Sequence, residues 1–185
     1  MKKNTFIAIA ITLVFISIIW IIFSPILFQD THAEADQQAA HKGFFAPSFT
    51  LSTPEGIAHS ITDYRGKPVL LFFWASHCSV CKATMPKIES VYQEFSSLGF
   101  EVLAINTTNQ DSLSAAKAYF QAQNYSFPML LDQDGTVTNQ YLIHAVPTSY
   151  LINPDGKISN VIIGSGISDG FLRAQLNTLF MKGEE

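Results

Sequence analysis

The stretch Val69-Leu70-Leu71-Phe72-Phe73-Trp74-Ala75-Ser76-His77-Cys78-Ser79-Val80-Cys81-Lys82 decides the fold. Its first six residues are apolar without a break and follow Gly66-Lys67-Pro68, the composition of a central strand buried on both faces. The period then changes. Over 79–95, Val80, Met85, Ile88, Val91, Tyr92 and Phe95 recur every three or four residues, which predicts a helix with one buried face, kinked at Pro86. A strand therefore runs into a helix, and the junction carries Cys78 and Cys81, the chain's 2 cysteines.

That placement carries chemistry. Unpaired backbone N–H groups and the helix dipole favour an anion at a helix N-terminus, so Cys78 is expected to have a lowered thiol pKa and to act as nucleophile. Cys81, one turn later, faces the same way from a deeper position. Such a pair attacks a partner's disulfide through Cys78 and resolves the mixed disulfide when Cys81 attacks the Cys78 sulfur. Three plainer readings compete. A structural bridge between residues so close together restricts the unfolded chain little. A zinc site lacks ligands, since only His77 lies nearby and tetrahedral zinc takes four. Two inert core cysteines at this spacing are the third.

Outward from the junction, short strands are expected at 48–51 and 57–61, joined through Thr53-Pro54-Glu55-Gly56 as a hairpin ahead of the core. Residues 102–106 read as a second buried strand, and 113–123 as a second helix with Ser112 or Asp111 available as its cap. Further strands are expected at 127–131, 149–152 and 157–163, the last two joined by Asn153-Pro154-Asp155-Gly156. A final helix over 168–181 presents Phe171, Leu172, Leu176, Leu179 and Phe180. This order predicts an α/β domain with a mixed sheet, parallel first and antiparallel at the end, covered by helices on both faces.

The ends and the composition set the surroundings. Lys2 and Lys3 precede an apolar run over 6–23 that, as a helix, spans about 27 Å, close to the thickness of a bilayer's hydrocarbon core. Residues 1–28 therefore read as a cytoplasmic N-terminus and a single-pass signal anchor, 29–43 as a polar tether, and 44–185 as an extracytoplasmic domain. The competing reading is a signal peptide cleaved near Ala33-Glu34-Ala35, although the apolar run exceeds an ordinary signal core. A formal net charge of -4 without a basic cluster argues against nucleic-acid binding.

Residues 74–82, together with Pro86 and the distant Ala145-Val146-Pro147-Thr148-Ser149-Tyr150, resemble the thioredoxin superfamily, and within it the membrane-tethered TlpA/ResA-type branch. The resemblance runs from about residue 44 to 181. It implies a thioredoxin fold with an extra N-terminal hairpin, and thiol–disulfide exchange at a redox-active Cys78–Cys81 disulfide without cofactor or metal. It also implies a cis Val146-Pro147 bond that leaves the Val146 backbone open to an extended partner, with Trp74 shielding the site and His77 beside the nucleophile. The partners it implies are protein disulfides or dithiols, for example in cytochrome c maturation or envelope thiol homeostasis, with electrons from a membrane donor.

Two departures concern proton transfer. Thioredoxin has a buried acid where this chain has Phe72, and ResA-like members have a Glu where it has Thr84, so neither carboxylate is available to Cys81. Two other activities share parts of the pattern. A peroxiredoxin has a Thr at the position of Ala75, and a Sco-like copper carrier spaces its cysteines by three residues and adds a histidine, for which His77 and His144 are the candidates here.

Overall fold

A computed structural model of the chain describes residues 38–182, together with Leu13, Phe15, Ile16, Ser17 and Trp20. Those five are helical and, where they carry large apolar side chains, exposed. Among the described residues no helix is long and apolar enough to cross a membrane. Most of the expected anchor and the cleavage motif at 33–35 lie outside the described residues.

The folded unit is built on one seven-stranded sheet. In chain order its elements are β1 (Thr50–Ser52), β2 (Ala58–Ser60), β3 (Val69–Trp74), α1 (Ser79–Phe95), β4 (Glu101–Asn106), α2 (Leu113–Gln123), β5 (Met129–Leu131), α3 (Thr136–Gln140), β6 (Thr148–Ile152), β7 (Ile158–Ile163) and α4 (Asp169–Lys182). The strands lie in the order β2-β1-β5-β4-β3-β6-β7. β3, β4 and β5 are parallel, β6 is antiparallel to β3, and β7 is antiparallel to β6. The hairpin β1–β2 joins the far edge by pairing β1 with β5. This is a thioredoxin-like α/β fold.

The two-residue period of β3 divides the core. Leu70, Phe72 and Trp74 point to one face, where Cys81, Met85, Ile88 and Val91 of α1, Ala116 of α2 and Leu172 and Leu176 of α4 meet them. Val69, Leu71 and Phe73 point to the other, against Phe49, Val137, Tyr141 and Tyr150. All six β3 residues are buried, as a strand covered on both sides must be. Removing the Phe73 ring from such a site costs about 3–5 kcal/mol.

The sequence expectations differ from the structure at three places. The apolar period puts Val80 on the buried face of α1, yet it is 41% exposed. Its neighbour Cys81, in the same first turn, takes the buried position instead. Helix α3 has no counterpart among the expected elements, being five residues long with Thr136, Val137 and Thr138 in its first turn, too short and too β-branched to show a helical period. Finally, packed structure begins inside the segment that reads as a tether. Gln38 bridges to Phe45, its side chain bonds Ser48, and Ala40 is buried.

Candidate active site

The carboxyl ends of the parallel strands β3 and β4 lie side by side, with Trp74 paired to Asn106. Open α/β sheets place their sites along this edge. The chain leaves β3 through Ala75, Ser76 and His77 and enters α1 at Ser79, so Cys78 is the N-cap residue of α1, with extended backbone (φ −84°, ψ 106°). Its Sγ occupies the acceptor position that Ser or Asp oxygens usually fill, 3.0 Å from the backbone nitrogen of Cys81.

Cys78 is half-buried, whereas Cys81 is fully buried among the apolar side chains of α1 and β3. The two are joined as a disulfide with Cα atoms 5.3 Å apart. Of the two sulfurs, the accessible one is therefore the one at the helix end.

The other predicted residues gather around this pair. The Val146-Pro147 bond is cis, and the Val146 carbonyl oxygen lies 3.6 Å from Cys78 Sγ. A disulfide sulfur has no proton to donate, so this is proximity and not a hydrogen bond. Among the described residues the Val146 N–H has no partner, while Pro147 itself is buried and its carbonyl accepts from Gly164. Trp74 lies beneath the pair, fully buried, with ring centroids 5.8 Å from Tyr119 and 6.0 Å from Phe120 of α2. Its indole N–H is without a partner among the described residues. His77 is exposed at 66% and lies close to a carboxylate, its Nδ1 3.4 Å from Asp111 Oδ1.

Asp111 is the site residue that sequence reading places elsewhere. Ser112 caps α2 by accepting from the Ala115 N–H, and Asp111 turns back to the edge of the sheet. Its carboxylate accepts from the backbone N–H of Ser76 (2.5 Å), the Ser76 hydroxyl (2.6 Å), Asn106 Nδ2 (2.8 Å) and the Ser112 N–H (2.8 Å). Burial pushes this carboxyl up, but hydrogen bonds from Ser76, Asn106 and Ser112 outweigh burial and hold it below its ordinary range. An acid shortly after a parallel strand that neighbours the cysteine-bearing one is the signal that points to it.

Thr84, one turn beyond Cys81, is buried and donates its hydroxyl to the Val80 carbonyl at 2.8 Å. A polar cleft of about 190 Å³ opens beside Cys78 and is lined by His77, Thr107, Gln110, Thr138, His144 and Val146 among others. No three His, Cys, Asp or Glu side chains among the described residues converge to hold a metal ion. Ala75, where a peroxiredoxin has its Thr, is buried and brings no hydroxyl to the sulfur.

Comparison with known proteins agrees with this geometry. Residues 43–161 match the AhpC/TSA family. The chain is 35% identical over 130 residues, 70% of its length, to the thiol–disulfide oxidoreductase ResA of Geobacillus thermodenitrificans, of which it covers 74%. Among solved structures, StoA of Bacillus subtilis is 29% identical with a TM-score of 0.61, over 69% of this chain and 95% of that one. The exposed lipoprotein thioredoxin Etrx1 of Streptococcus pneumoniae is 27% identical with a TM-score of 0.64, over 72% of this chain and 100% of that one. A thioredoxin-like sheet with a helix-capping cysteine pair, matched along most of its length by ResA, places the chain in the AhpC/TSA family, as a thiol–disulfide oxidoreductase of the ResA kind.

Proposed function

We propose that the enzyme exchanges disulfides with partner proteins outside the cytoplasm, with Cys78 as attacking and Cys81 as resolving cysteine. The observation that carries this reading is the inequality of the two sulfurs, one half-exposed on a helix end and the other buried behind it. In the reductive direction the Cys78 thiolate attacks a partner disulfide, forming one S–S bond and releasing one partner thiolate. The Cys81 thiolate then attacks Cys78 Sγ, releasing the second partner sulfur and closing the Cys78–Cys81 disulfide. Two electrons pass from the enzyme dithiol to the partner, whose two thiolates take up the two protons. A membrane donor restores the dithiol.

The open Val146 N–H and its carbonyl, beside Cys78, suit an extended partner segment that pairs with backbone while its sulfur meets Cys78. Pro147 holds that turn, Trp74 closes the floor of the site, and His77 stands at its rim. The domain is tethered by the apolar segment at 6–23, and the basic start directs the rest of the chain to the outer side. Reduction of a disulfide in apocytochrome c or in a metallo-protein is the role that the family resemblance implies.

A Cys81→Ser variant in intact cells is expected to accumulate a mixed disulfide between Cys78 and its partner, released by dithiothreitol and absent from Cys78→Ser. Failure to capture any partner through Cys78 would overturn the reading. External protease is expected to remove the domain from spheroplasts, and resistance to it would overturn the extracytoplasmic placement.

A further inference from the structure

We propose that Asp111 is a positioning residue for the redox site: by holding both donors of Ser76 and the imidazole of His77, it fixes the approach to Cys78 and keeps the sulfur seated on the end of α1. This rests on the reading of Cys78 as the attacking thiol.

The chain's path makes such a clamp necessary. Between the last residue of β3 and the cap of α1 lie three residues, Ala75, Ser76 and His77, without regular structure. The backbone turn there is closed by the Cys78 N–H on the Ala75 carbonyl at 3.1 Å. Ser76, in the middle, is 7% exposed, so its N–H and hydroxyl require partners inside the protein. Both go to one carboxylate, at 2.5 and 2.6 Å. That carboxylate is itself anchored by Asn106, whose Nδ2 also approaches the Trp74 carbonyl at 3.4 Å. The ends of β3 and β4 and the segment leading to the nucleophile are thus tied at one point, with the Asp111 side chain only 2% exposed. No neutral side chain of this shape accepts from four donors. An amide has one oxygen, and its NH₂ would confront donors.

The consequence falls on the sulfur. The N-cap position stabilises a thiolate only while Sγ stays aligned with the free N–H groups of the first turn, and its direction is set by the residues entering the helix. Asp111 acts on the thiol in two opposed ways. As a nearby negative charge it disfavours the thiolate. As a clamp it favours the thiolate, by holding Cys78 in its cap. The titratable groups on the segments packed around Cys78 are His77, Lys82 of α1, Asp111 and, on the cis-proline loop, His144. Of the two effects of Asp111, the clamp outweighs the charge.

The sign of one shift separates the two. The rate of iodoacetamide reaction with Cys78 is followed against pH in full-length Cys81→Ser protein, with and without Asp111→Asn. The Cys78 pKa is expected to rise in Asp111→Asn and the rate at pH 6 to fall about three- to tenfold. Ser76→Ala, which removes the hydroxyl donor and keeps the backbone N–H donor to Asp111, is expected to move the pKa the same way by less. A fall in the Cys78 pKa, or no change in either variant, overturns the proposal, as does an unchanged Ser76→Ala profile if Asp111→Asn fails to fold. Partner capture by Cys81→Ser alone reports separately on the role of Cys78, so its failure is distinct from failure of the clamp.

Discussion

The backbone N–H of Cys81 donates to the sulfur of Cys78 across 3.0 Å, so the more accessible cysteine of the pair also caps the helix that carries the buried one. A side-chain acceptor at an N-cap is worth about 1 kcal/mol over alanine. In a Cys81→Ser background, where no bridge forms, Cys78→Ser is therefore expected to be more stable than Cys78→Ala by about that amount, although neither exchanges disulfides. Urea unfolding measures the difference, and equal stabilities would show that the sulfur caps nothing.

Cys81 has no carboxylate within one helical turn on its own face, because the position is Thr84, 4% exposed and committed to the Val80 carbonyl. The ResA resemblance puts a glutamate there. A positioned general base contributes roughly 100-fold or more. Thr84→Glu is expected to speed the resolving step by at least about tenfold, with the buried carboxyl raised toward neutrality by burial and a stability cost of about 1–3 kcal/mol. Stopped-flow reduction of a model disulfide separates attack from resolution. A resolving rate that gains nothing from the glutamate would mean that proton removal from Cys81 does not limit turnover.

The parts of the site legible in the sequence are those with a long or a contiguous signal. The unbroken apolar run of β3 and the three-to-four-residue apolar period across the seventeen residues of α1 fix both elements to the residue, and the cysteine pair then falls on a helix end without further information. Val146 and Pro147 are readable only through a family pattern, since an isolated proline before a strand gives no hint that Val146, 68 residues away in the chain, lies beside Cys78. Asp111 reads as a helix cap because its local context fits one. The parallel pairing of β3 with β4 moves it into the site, a relation between segments that local periodicity does not encode.

Tyr141 is fully buried, packs its ring 5.4 Å from Phe73 and 5.1 Å from Tyr150, and donates its hydroxyl to the Pro47 carbonyl at 2.7 Å. Burial raises its phenol pKa well above the ordinary value, so the hydroxyl stays a donor throughout the working range. Tyr141→Phe leaves the rings packed and orphans the buried Pro47 carbonyl, at an expected cost of about 1–3 kcal/mol. Tyr141→Ala adds a cavity and is expected to cost about 3–5 kcal/mol. Chemical denaturation of the two variants checks both, and a neutral Tyr141→Phe would show that the bond to Pro47 adds nothing net to stability.

Asp111 also ties stability to pH. Burial opposes ionisation of its carboxyl, but the donors from Ser76, Asn106 and Ser112 prevail, and the folded-state pKa lies below the ordinary 3.8. The folded protein therefore binds this proton less readily than the unfolded chain. The stabilisation is fully present above the ordinary carboxylate pKa and is lost as pH falls through the lower folded value. Asp111→Asn is expected to be less stable at pH 7, with a stability curve that approaches that of the parent protein as pH falls below the ordinary carboxylate value of 3.8, because the variant has no such proton to gain. Urea midpoints across that range test the convergence. Curves that stay parallel would mean that the carboxylate is not held ionised by the Ser76 donors, and would remove the electrostatic basis of the clamp.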